Sequence, residues 1–150
     1  MPRKASLYLD TSVPSALFQK PVERKETTAQ FFQEILPSYD VFISNIVVEE
    51  IKATPDESLG NLLLKAVESF HVLPPTEEAE SLAKEYLRYL KIPEADALHI
   101  AIASMEGMDY LVTWNMEHLA REPTRRIVDN VNFLLKRRRL YIVVPKDFFD

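Results

Sequence analysis

Short apolar runs alternate with longer segments of helical periodicity along the chain, and this alternation limits the fold more than any other feature. Four runs of three to five residues are rich in aromatic and β-branched side chains, and each ends at a polar residue or a proline: 7–9, 41–43, 110–112 and 140–144. A strand that is apolar at consecutive positions is typical of a parallel sheet with helices on both faces, because neither face then meets water. A weaker run at 71–73, ahead of two prolines, is a candidate for a fifth strand.

Between these runs, apolar residues recur at intervals of three and four, which places them on one face of an α-helix. This pattern predicts helices at 59–70, 79–90 and 127–135, and a shorter one at 31–36 that ends at Pro37. The segment 95–105 differs because it has almost no polar face. We therefore predict that it forms a buried central helix, which starts after Pro93 and ends at Gly107.

Alternation of strands and helices with connections of this length predicts an α/β protein, a three-layer α/β/α sandwich around a mostly parallel sheet of four to five strands. Residues 1–150 have the length of one ordinary domain, and their 47% of apolar and 27% of charged residues are typical of a globular protein. The sequence has no internal repeat and no linker-like segment. We expect a single domain.

Several residue types are rare enough to exclude whole classes of site. Cysteine is absent, which excludes disulfides, thiolate zinc sites and a cysteine nucleophile, and fits a reducing cytoplasm. The two glycines, Gly60 and Gly107, cannot form a glycine-rich phosphate-binding turn. The formal net charge of −5 excludes a polycation that binds nucleic acid over its whole surface. Any catalytic chemistry must therefore use carboxylates.

The hydropathy pattern does not favour a membrane protein. No segment approaches the roughly 20 consecutive apolar residues of a membrane span, and Asp10 interrupts the first apolar run too early for a signal peptide. We expect a cytoplasmic protein with no membrane partner.

Acidic and amide side chains follow the predicted strands at the edge where an open parallel sheet forms its sites, outside the carboxyl ends of the strands. Asp10 directly follows the first run, and Glu49 and Glu50 lie in the first turns of the helix after the second run. Asp96 lies in the first turn of the buried helix, and Asn115 follows the third run. Four separate segments thus bring oxygen ligands to one edge.

Each of these residues also has an ordinary structural role. An aspartate after a strand, followed here by Thr11 and Ser12, is often a helix N-cap. Asp96 could complement a helix dipole, and Asn115 could be a cap residue. Their conjunction favours a site, because two carboxylates about 4 Å apart repel each other by roughly 4 kcal/mol at an effective dielectric near 20. A hard cation such as Mg²⁺ or Mn²⁺ offsets that repulsion and prefers oxygen ligands.

Four segments resemble the successive motifs of PIN-domain proteins, and within that family those of the VapC-type toxins of bacterial and archaeal toxin–antitoxin pairs. The segments are LDTS at 9–12, SNIVVEEI at 44–51, DALHIA at 96–101 and LVTWN at 111–115. The resemblance covers nearly the whole chain in the family's order and spacing. It implies a PIN-like fold and a metal-dependent endoribonuclease, a hydrolase of RNA phosphodiester bonds.

The resemblance assigns the family's first three acids to Asp10, Glu50 and Asp96, which would hold one or two Mg²⁺ or Mn²⁺ ions. Glu50 is preferred to Glu49 because the family's acid precedes an apolar residue at this distance from the serine. The fourth family acid, in a Thr-x-Asp pattern, falls on Asn115, so the site has one negative charge fewer. The catalytic candidates are therefore Asp10, Glu50, Asp96 and Asn115.

Other polar side chains are candidates for supporting roles. Four of them could hold a carboxylate or a water molecule in place: Thr11, Ser12, Thr113 and His99. For His99, a core histidine bonded to a backbone carbonyl is the alternative. His118 and the basic run 136–139 could contact RNA, and the alternatives are a surface histidine and a solvated helix end. Trp114 is expected to pack rather than to stack on a base.

The resemblance also implies partners: RNA as substrate, a second copy of the chain in a homodimer, and a small antitoxin protein that blocks the acidic site. The alternative function is a catalytically weak PIN-like module that binds RNA or a protein without cutting it. Asn115 is the feature that favours this alternative.

Overall fold

The structure, a computed structural model, describes residues 3–150. Five parallel strands form one sheet: β1 (Ser6–Leu9), β2 (Asp40–Ser44), β3 (His71–Leu73), β4 (Tyr110–Val112) and β5 (Tyr141–Val143). Their order across the sheet is β3-β2-β1-β4-β5. The predicted parallel sheet is confirmed, and the weaker run at 71–73 is its edge strand beside β2.

Helices connect the strands. Within residues 3–150 they are α1 (Ser12–Ala16), α2 (Val22–Gln30), α3 (Asn45–Lys52), α4 (Glu57–Val67), α5 (Glu77–Leu87), α6 (Glu94–Met105) and α7 (Glu122–Leu134). Helices α5, α6 and α7 pack together, while α4 contacts α1 and α3. All four residues of β1 are buried, so both faces of the sheet are covered at its centre. The predicted α/β class is confirmed.

The apolar helix predicted at 95–105 is α6, which lies in the core. Its residues from Ile100 to Ser104 are all buried. The helix ends as predicted at Gly107, which adopts a left-handed backbone with φ of 68°. This conformation favours glycine and allows the Gly107 and Met108 amides to donate to carbonyls of the last helical turn.

The short helix predicted at 31–36 is wrong in its bounds. The structure has a longer helical segment, in which α2 continues as a wider turn at Phe31–Ile35 and a tighter turn at Leu36–Ser38. The sequence pattern misses the first part because Thr28 is the only buried residue of α2. A helix that lies mostly in water has no apolar stripe to reveal it.

The sheet topology places two strand ends next to each other at the point where the strand order reverses. β1 pairs with β2 on one side and with β4 on the other, and Leu9 is opposite Val112 in the register. The connections from β1 and β4 therefore leave the sheet in opposite directions, and a crevice opens between them. Asp10 and Thr113, the residues that follow these strands, border this crevice. The described residues contain no helix long and apolar enough to cross a membrane.

Candidate functional site

Asp10 is a buried carboxylate with both oxygens hydrogen-bonded. Only 4% of the residue is exposed. Its Oδ1 accepts from the Ser12 amide at 3.1 Å and from the Ser12 hydroxyl at 2.5 Å, and its Oδ2 accepts from Thr113 Oγ1 at 2.5 Å. Burial raises the pKa of Asp10, although the charge of His99 and these hydroxyls oppose the shift. Asp10 thus combines the capping role with a contact across the crevice to β4.

Ser12 and Thr113 fix the position of the Asp10 carboxylate. Ser12 Oγ accepts from the Trp114 amide at 2.9 Å, and Thr113 Oγ1 accepts from the Asn115 amide at 2.9 Å. Each hydroxyl therefore has its only hydrogen directed at Asp10 while a backbone N–H holds its oxygen. Ser12 and Thr113, two of the four candidates for supporting roles, are thus in direct contact with the carboxylate.

Glu50 lies at the rim of the crevice, where Thr11 and His99 both donate to its Oε1. The distances are 2.8 Å from Thr11 Oγ1 and 2.9 Å from His99 Nε2. Partial burial raises the pKa of Glu50, but the hydrogen bond and charge of His99 and the Thr11 hydroxyl outweigh it, so the net shift is downward. Glu50 is therefore an ionised acceptor at neutral pH, and the neighbouring Glu49 is exposed.

His99 connects Glu50 to the core through a hydroxyl chain. Its Nδ1 lies 2.7 Å from the Tyr8 hydroxyl, which is in turn 2.7 Å from Ser44 Oγ. The sequence analysis did not identify Tyr8 and Ser44 as part of this hydrogen-bonded chain, because Tyr8 lies within an apolar run that otherwise has the pattern of an ordinary buried strand. It also offered a backbone carbonyl as a partner for His99, whereas the structure gives the histidine two side-chain partners.

Asp96 faces the crevice from the first turn of α6, with 16% of its side chain exposed. Asn115 Nδ2 donates to its Oδ2 at 3.2 Å, and His118 Nδ1 lies 3.2 Å from the same oxygen. Burial raises the pKa of Asp96, the charges of His99 and His118 oppose this, and the charge of Glu50 adds to it. Asp96 is therefore held by one amide and one histidine.

Asn115 is oriented by the backbone. Its Oδ1 accepts from the His118 amide at 2.9 Å, and a backbone N–H can only donate, so the oxygen must point there. The amide nitrogen then points at Asp96. In this arrangement Asn115 acts as a turn cap and as a donor to Asp96, and its carbonyl oxygen is occupied.

The three acids are neighbours but do not meet at one point. Asp96 raises the pKa of Asp10, and Glu50 raises the pKa of Asp96. Among residues 3–150, however, no three His, Cys, Asp or Glu side chains are placed so that they could hold a metal ion. Each acid is bonded to its own partners, while Asp96 Oδ1 and Glu50 Oε2 accept no hydrogen bond from the described residues.

The chemistry of the donors suits a hard divalent cation. All three acids offer carboxylate oxygens, which Mg²⁺ and Mn²⁺ prefer. Asp10 is fixed, whereas Glu50 and Asp96 each have an oxygen free and lie closer to solvent.

The basic run 136–139 lies away from this crevice. Arg138 contacts Asp109, which accepts from the amide of Ser6, the first residue of β1. Asp10 follows the last residue of the same strand. Asp109 and Asp10 therefore lie at opposite ends of the strands. Arg139 pairs with Asp129 and packs on Tyr141. Trp114, as expected, is buried, and its Nε1 donates to Thr28 Oγ1 at 2.9 Å.

The sequence model of the PIN domain matches residues 7–120. The chain belongs to the PIN-domain family, which confirms the resemblance of its motifs. No curated protein matches the chain.

Solved structures with this fold include VapC20 of Mycobacterium tuberculosis, described as a toxin that cleaves the sarcin–ricin loop, at a TM-score of 0.60 and 19% identity over 74% of this chain and 91% of that one. A toxin–antitoxin complex from Klebsiella pneumoniae matches at a TM-score of 0.58 and 19% identity, covering 79% and 93% of the two chains. VapBC2 from Rickettsia felis, bound to a DNA fragment from its promoter, matches at a TM-score of 0.55 and 15% identity, covering 93% of this chain and 98% of that one.

Proposed function

We propose that this chain is a Mg²⁺- or Mn²⁺-dependent endoribonuclease of the VapC toxin type, in which Asp10, Glu50 and Asp96 hold the metal. The observation that supports the proposal is that Asp96 is close enough to Asp10, and Glu50 to Asp96, for their charges to act on each other at the crevice of a PIN fold. Asp10 is buried beside Asp96 with no lysine or arginine among its bonded partners. A divalent cation would compensate for that accumulation of negative charge.

The residues around the acids would orient the carboxylates for metal binding. Asp10 is the rigid ligand, because Ser12 and Thr113 hold it from both sides. Glu50 is oriented by Thr11 and His99, which share one of its oxygens and leave the other free. Supporting hydrogen bonds of this kind fix the direction of a ligand and typically change metal affinity 10- to 100-fold when removed.

Asp96 would complete the site, with Asn115 and His118 holding the oxygen opposite to the free one. A bound metal would lower the pKa of a water molecule and stabilise the negative charge that develops on the phosphodiester. His118 is 30% exposed and lies at the mouth of the crevice, where it could also donate to a phosphate oxygen of the substrate.

Cleavage of RNA in the presence of Mn²⁺, Mg²⁺ or EDTA tests this proposal. We expect metal-dependent cleavage of structured RNAs that is abolished by EDTA, by Asp96→Asn and by Glu50→Gln. Glu49→Gln is the matched control, because it removes the same charge from the adjacent, exposed position. Cleavage that persists in Asp96→Asn, or that is lost equally in Glu49→Gln, would contradict the assignment of the site.

The second candidate function is a PIN-like module that binds RNA or a protein without cutting it. Asn115 favours this candidate, since the site lacks a fourth negative charge and the asparagine oxygen is engaged by the His118 amide. RNA binding by a folded protein that cuts no RNA with either metal would support it over the nuclease.

The toxin assignment extends to partners. The structures from Klebsiella pneumoniae and Rickettsia felis are toxin–antitoxin assemblies, and we propose a homodimer of this chain that is inhibited by a small antitoxin protein. Light scattering of the purified chain is expected to give twice the mass of one chain. A strictly monomeric protein across the micromolar range would contradict the dimer.

A further inference from the structure

Arg24 in α2 is held against the aromatic face of Trp114, the residue that follows Thr113. The guanidinium carbon lies 4.7 Å from the centre of the ring. Thr28 positions the ring, because its hydroxyl accepts from Trp114 Nε1 at 2.9 Å, and the same hydroxyl donates to the backbone carbonyl of Arg24 at 2.6 Å. A cation–π contact uses no N–H donor, so the guanidinium keeps all five of its donors available for a ligand.

The charge of Arg24 is not neutralised within the described part of the chain. Seven of the other eight arginines donate a hydrogen bond to a protein oxygen: Arg3, Arg88, Arg121, Arg125, Arg126, Arg138 and Arg139. The eighth is Arg137, whose buried Nε has no partner and whose charge acts on Tyr86 in α5, away from the crevice. The guanidinium of Arg24 forms neither a hydrogen bond nor a salt bridge with residues 3–150, and the residue is only partly exposed.

A short series of contacts connects Arg24 to the candidate metal ligands. The Trp114 amide donates to Ser12 Oγ, and that hydroxyl donates to Asp10. A polyanion that approaches Asp10 meets three carboxylates on a chain with a net charge of −5. The basic run 136–139 does not compensate, because it lies at the opposite ends of the strands, where Arg138 and Arg139 are paired with Asp109 and Asp129. Arg24 is therefore a candidate for a phosphate-binding cation on the crevice side, through its contact with Trp114.

We propose that Arg24, supported by Trp114, binds a phosphate group of the RNA backbone next to the acidic crevice. The proposal rests on the proposed function in that RNA is the ligand of this edge. An arginine suits the role because its planar fork matches two phosphate oxygens while its face packs on an aromatic ring. Binding through a phosphate is independent of base sequence, so Arg24 would contribute affinity and register rather than base specificity.

Binding of a fluorescein-labelled single-stranded RNA in EDTA, followed by anisotropy over a series of KCl concentrations, tests this proposal without cleavage. We expect Arg24→Ala to raise the Kd about tenfold. The slope of log K against log[KCl] is expected to become less negative by about 0.7, the value for one phosphate contact on a single strand. Arg24→Lys should fall between the wild type and Arg24→Ala, because it keeps the charge but loses the planar fork. Lys25→Ala, which removes a charge from the next, exposed residue of α2, should leave both quantities unchanged.

The outcomes separate this proposal from the nuclease assignment. If RNA is cut with metal but Arg24→Ala binds like the wild type with an unchanged salt slope, the role of Arg24 is rejected and the nuclease stands. If binding depends on Arg24 but no RNA is cut, the nuclease is rejected and the phosphate contact stands. Equal losses in Arg24→Ala and Lys25→Ala would reduce the effect to general charge and overturn the proposal, as would a wild type that binds no RNA. Arg24→Lys decides the question should Arg24→Ala fail to fold.

Discussion

His99 Nε2 lies 2.9 Å from Glu50 Oε1, and this contact joins a nearly buried histidine to a carboxylate whose side chain is 41% exposed. Glu50 can only accept when ionised, so Nε2 must carry a hydrogen. In a neutral imidazole, Nδ1 then accepts from the Tyr8 hydroxyl. Burial raises the pKa of Tyr8, which keeps its proton for this bond. Ser44 donates to Tyr8 in turn, so one directional chain runs from Ser44 to Glu50.

Replacement of His99 by leucine should break this chain at its centre. The Tyr8 hydroxyl would lose its buried acceptor, and we expect the free energy of unfolding to fall by about 1–3 kcal/mol. The pKa of Glu50 should rise, since the hydrogen bond from His99 lowers it. Urea unfolding at pH 7 measures the first effect. Glu50→Gln is the control, because it keeps an acceptor for His99 and should cost less; equal stability of His99→Leu and the wild type would refute the chain.

Asn115→Asp should lower the stability of the metal-free protein and raise its affinity for a divalent cation. The change places a carboxylate about 3.2 Å from Asp96 Oδ2, where two unit charges repel by about 5 kcal/mol at an effective dielectric of 20. Protonation and rearrangement absorb part of this energy, and we expect the Tm in EDTA to fall by roughly 3–8 °C. Because a divalent cation offsets the repulsion, the rise in Tm on addition of Mn²⁺ should exceed that of the wild type.

Asn115→Ala provides the matched comparison for this variant. It removes the same hydrogen bond to Asp96 without adding a charge, so its Tm should not gain extra sensitivity to Mn²⁺. Differential scanning fluorimetry of the three proteins with EDTA and with MnCl₂ gives both quantities. An Asn115→Asp protein that responds to Mn²⁺ no more strongly than Asn115→Ala would show that position 115 does not face the metal.

The central strand and the buried helix could be predicted because burial on every side leaves an unambiguous apolar signal. β1 and α6 are of this kind, and their predicted positions agree with the structure to within one residue. α2 could not be predicted, since its sequence VERKETTAQ presents only Thr28 to the core. Its place is determined by tertiary contacts, among them the hydrogen bond from Trp114 to Thr28.

The contact between Asp10 and Thr113 could be predicted from the sequence, but the partners of His99 could not. The rule that parallel strands open their sites at the carboxyl ends predicts that Asp10 and Thr113 lie together, and they are in contact. The partner of His99 depends instead on the rotation of α6 about its axis and on a hydroxyl in β1. Neither quantity is encoded in spacing along the chain, so the contact with Tyr8 appears only in three dimensions.

Asp109 should stabilise the start of β1 and β4 in a pH-dependent way. Partial burial raises its pKa, but donors from the Ser6 backbone and Arg138 outweigh it, and the net shift is downward. A lowered pKa means that the ionised form contributes stability above the unfolded-state value near 3.9, and that this contribution is lost as the pH falls through the folded-state pKa. At pH 7 we expect Asp109→Asn to cost about 1–3 kcal/mol.

Urea unfolding of Asp109→Asn and the wild type at pH 7, 5 and 3 tests this sign. The difference between the two proteins should shrink at the lowest pH, where the wild-type carboxylate becomes protonated. Asp129→Asn is the control, since Asp129 meets Arg139 at 3.4 Å with more of its side chain exposed and should cost less than about 1 kcal/mol. A difference that grows toward pH 3 would contradict the direction of the shift.

Tyr86 should make the packing of the last three helices sensitive to alkali. Its hydroxyl donates to Asn132 Oδ1 at 2.6 Å and also contacts Ser104 Oγ at 3.2 Å, which joins α5 to α7 and α6. Burial raises the pKa of Tyr86 to about 12, against the opposing hydrogen bonds and the charge of Arg137. The neutral phenol therefore contributes stability below pH 10, and this contribution is lost as the pH rises from about 10 to 12. The free energy of unfolding should fall by roughly 3 kcal/mol over this range.

Tyr86→Phe should separate the hydrogen bonds from the titration. Near pH 8 we expect the variant to be less stable by about 1–3 kcal/mol, because the buried Asn132 and Ser104 lose a partner. Between pH 10 and 11.5 the wild type should lose stability faster than the variant, which has no proton to release at this position. Urea unfolding across this range measures both effects, with Tyr89→Phe as the control on a side chain that is 56% exposed. Parallel pH profiles for Tyr86→Phe and the wild type would show that the phenol is not held neutral by the fold.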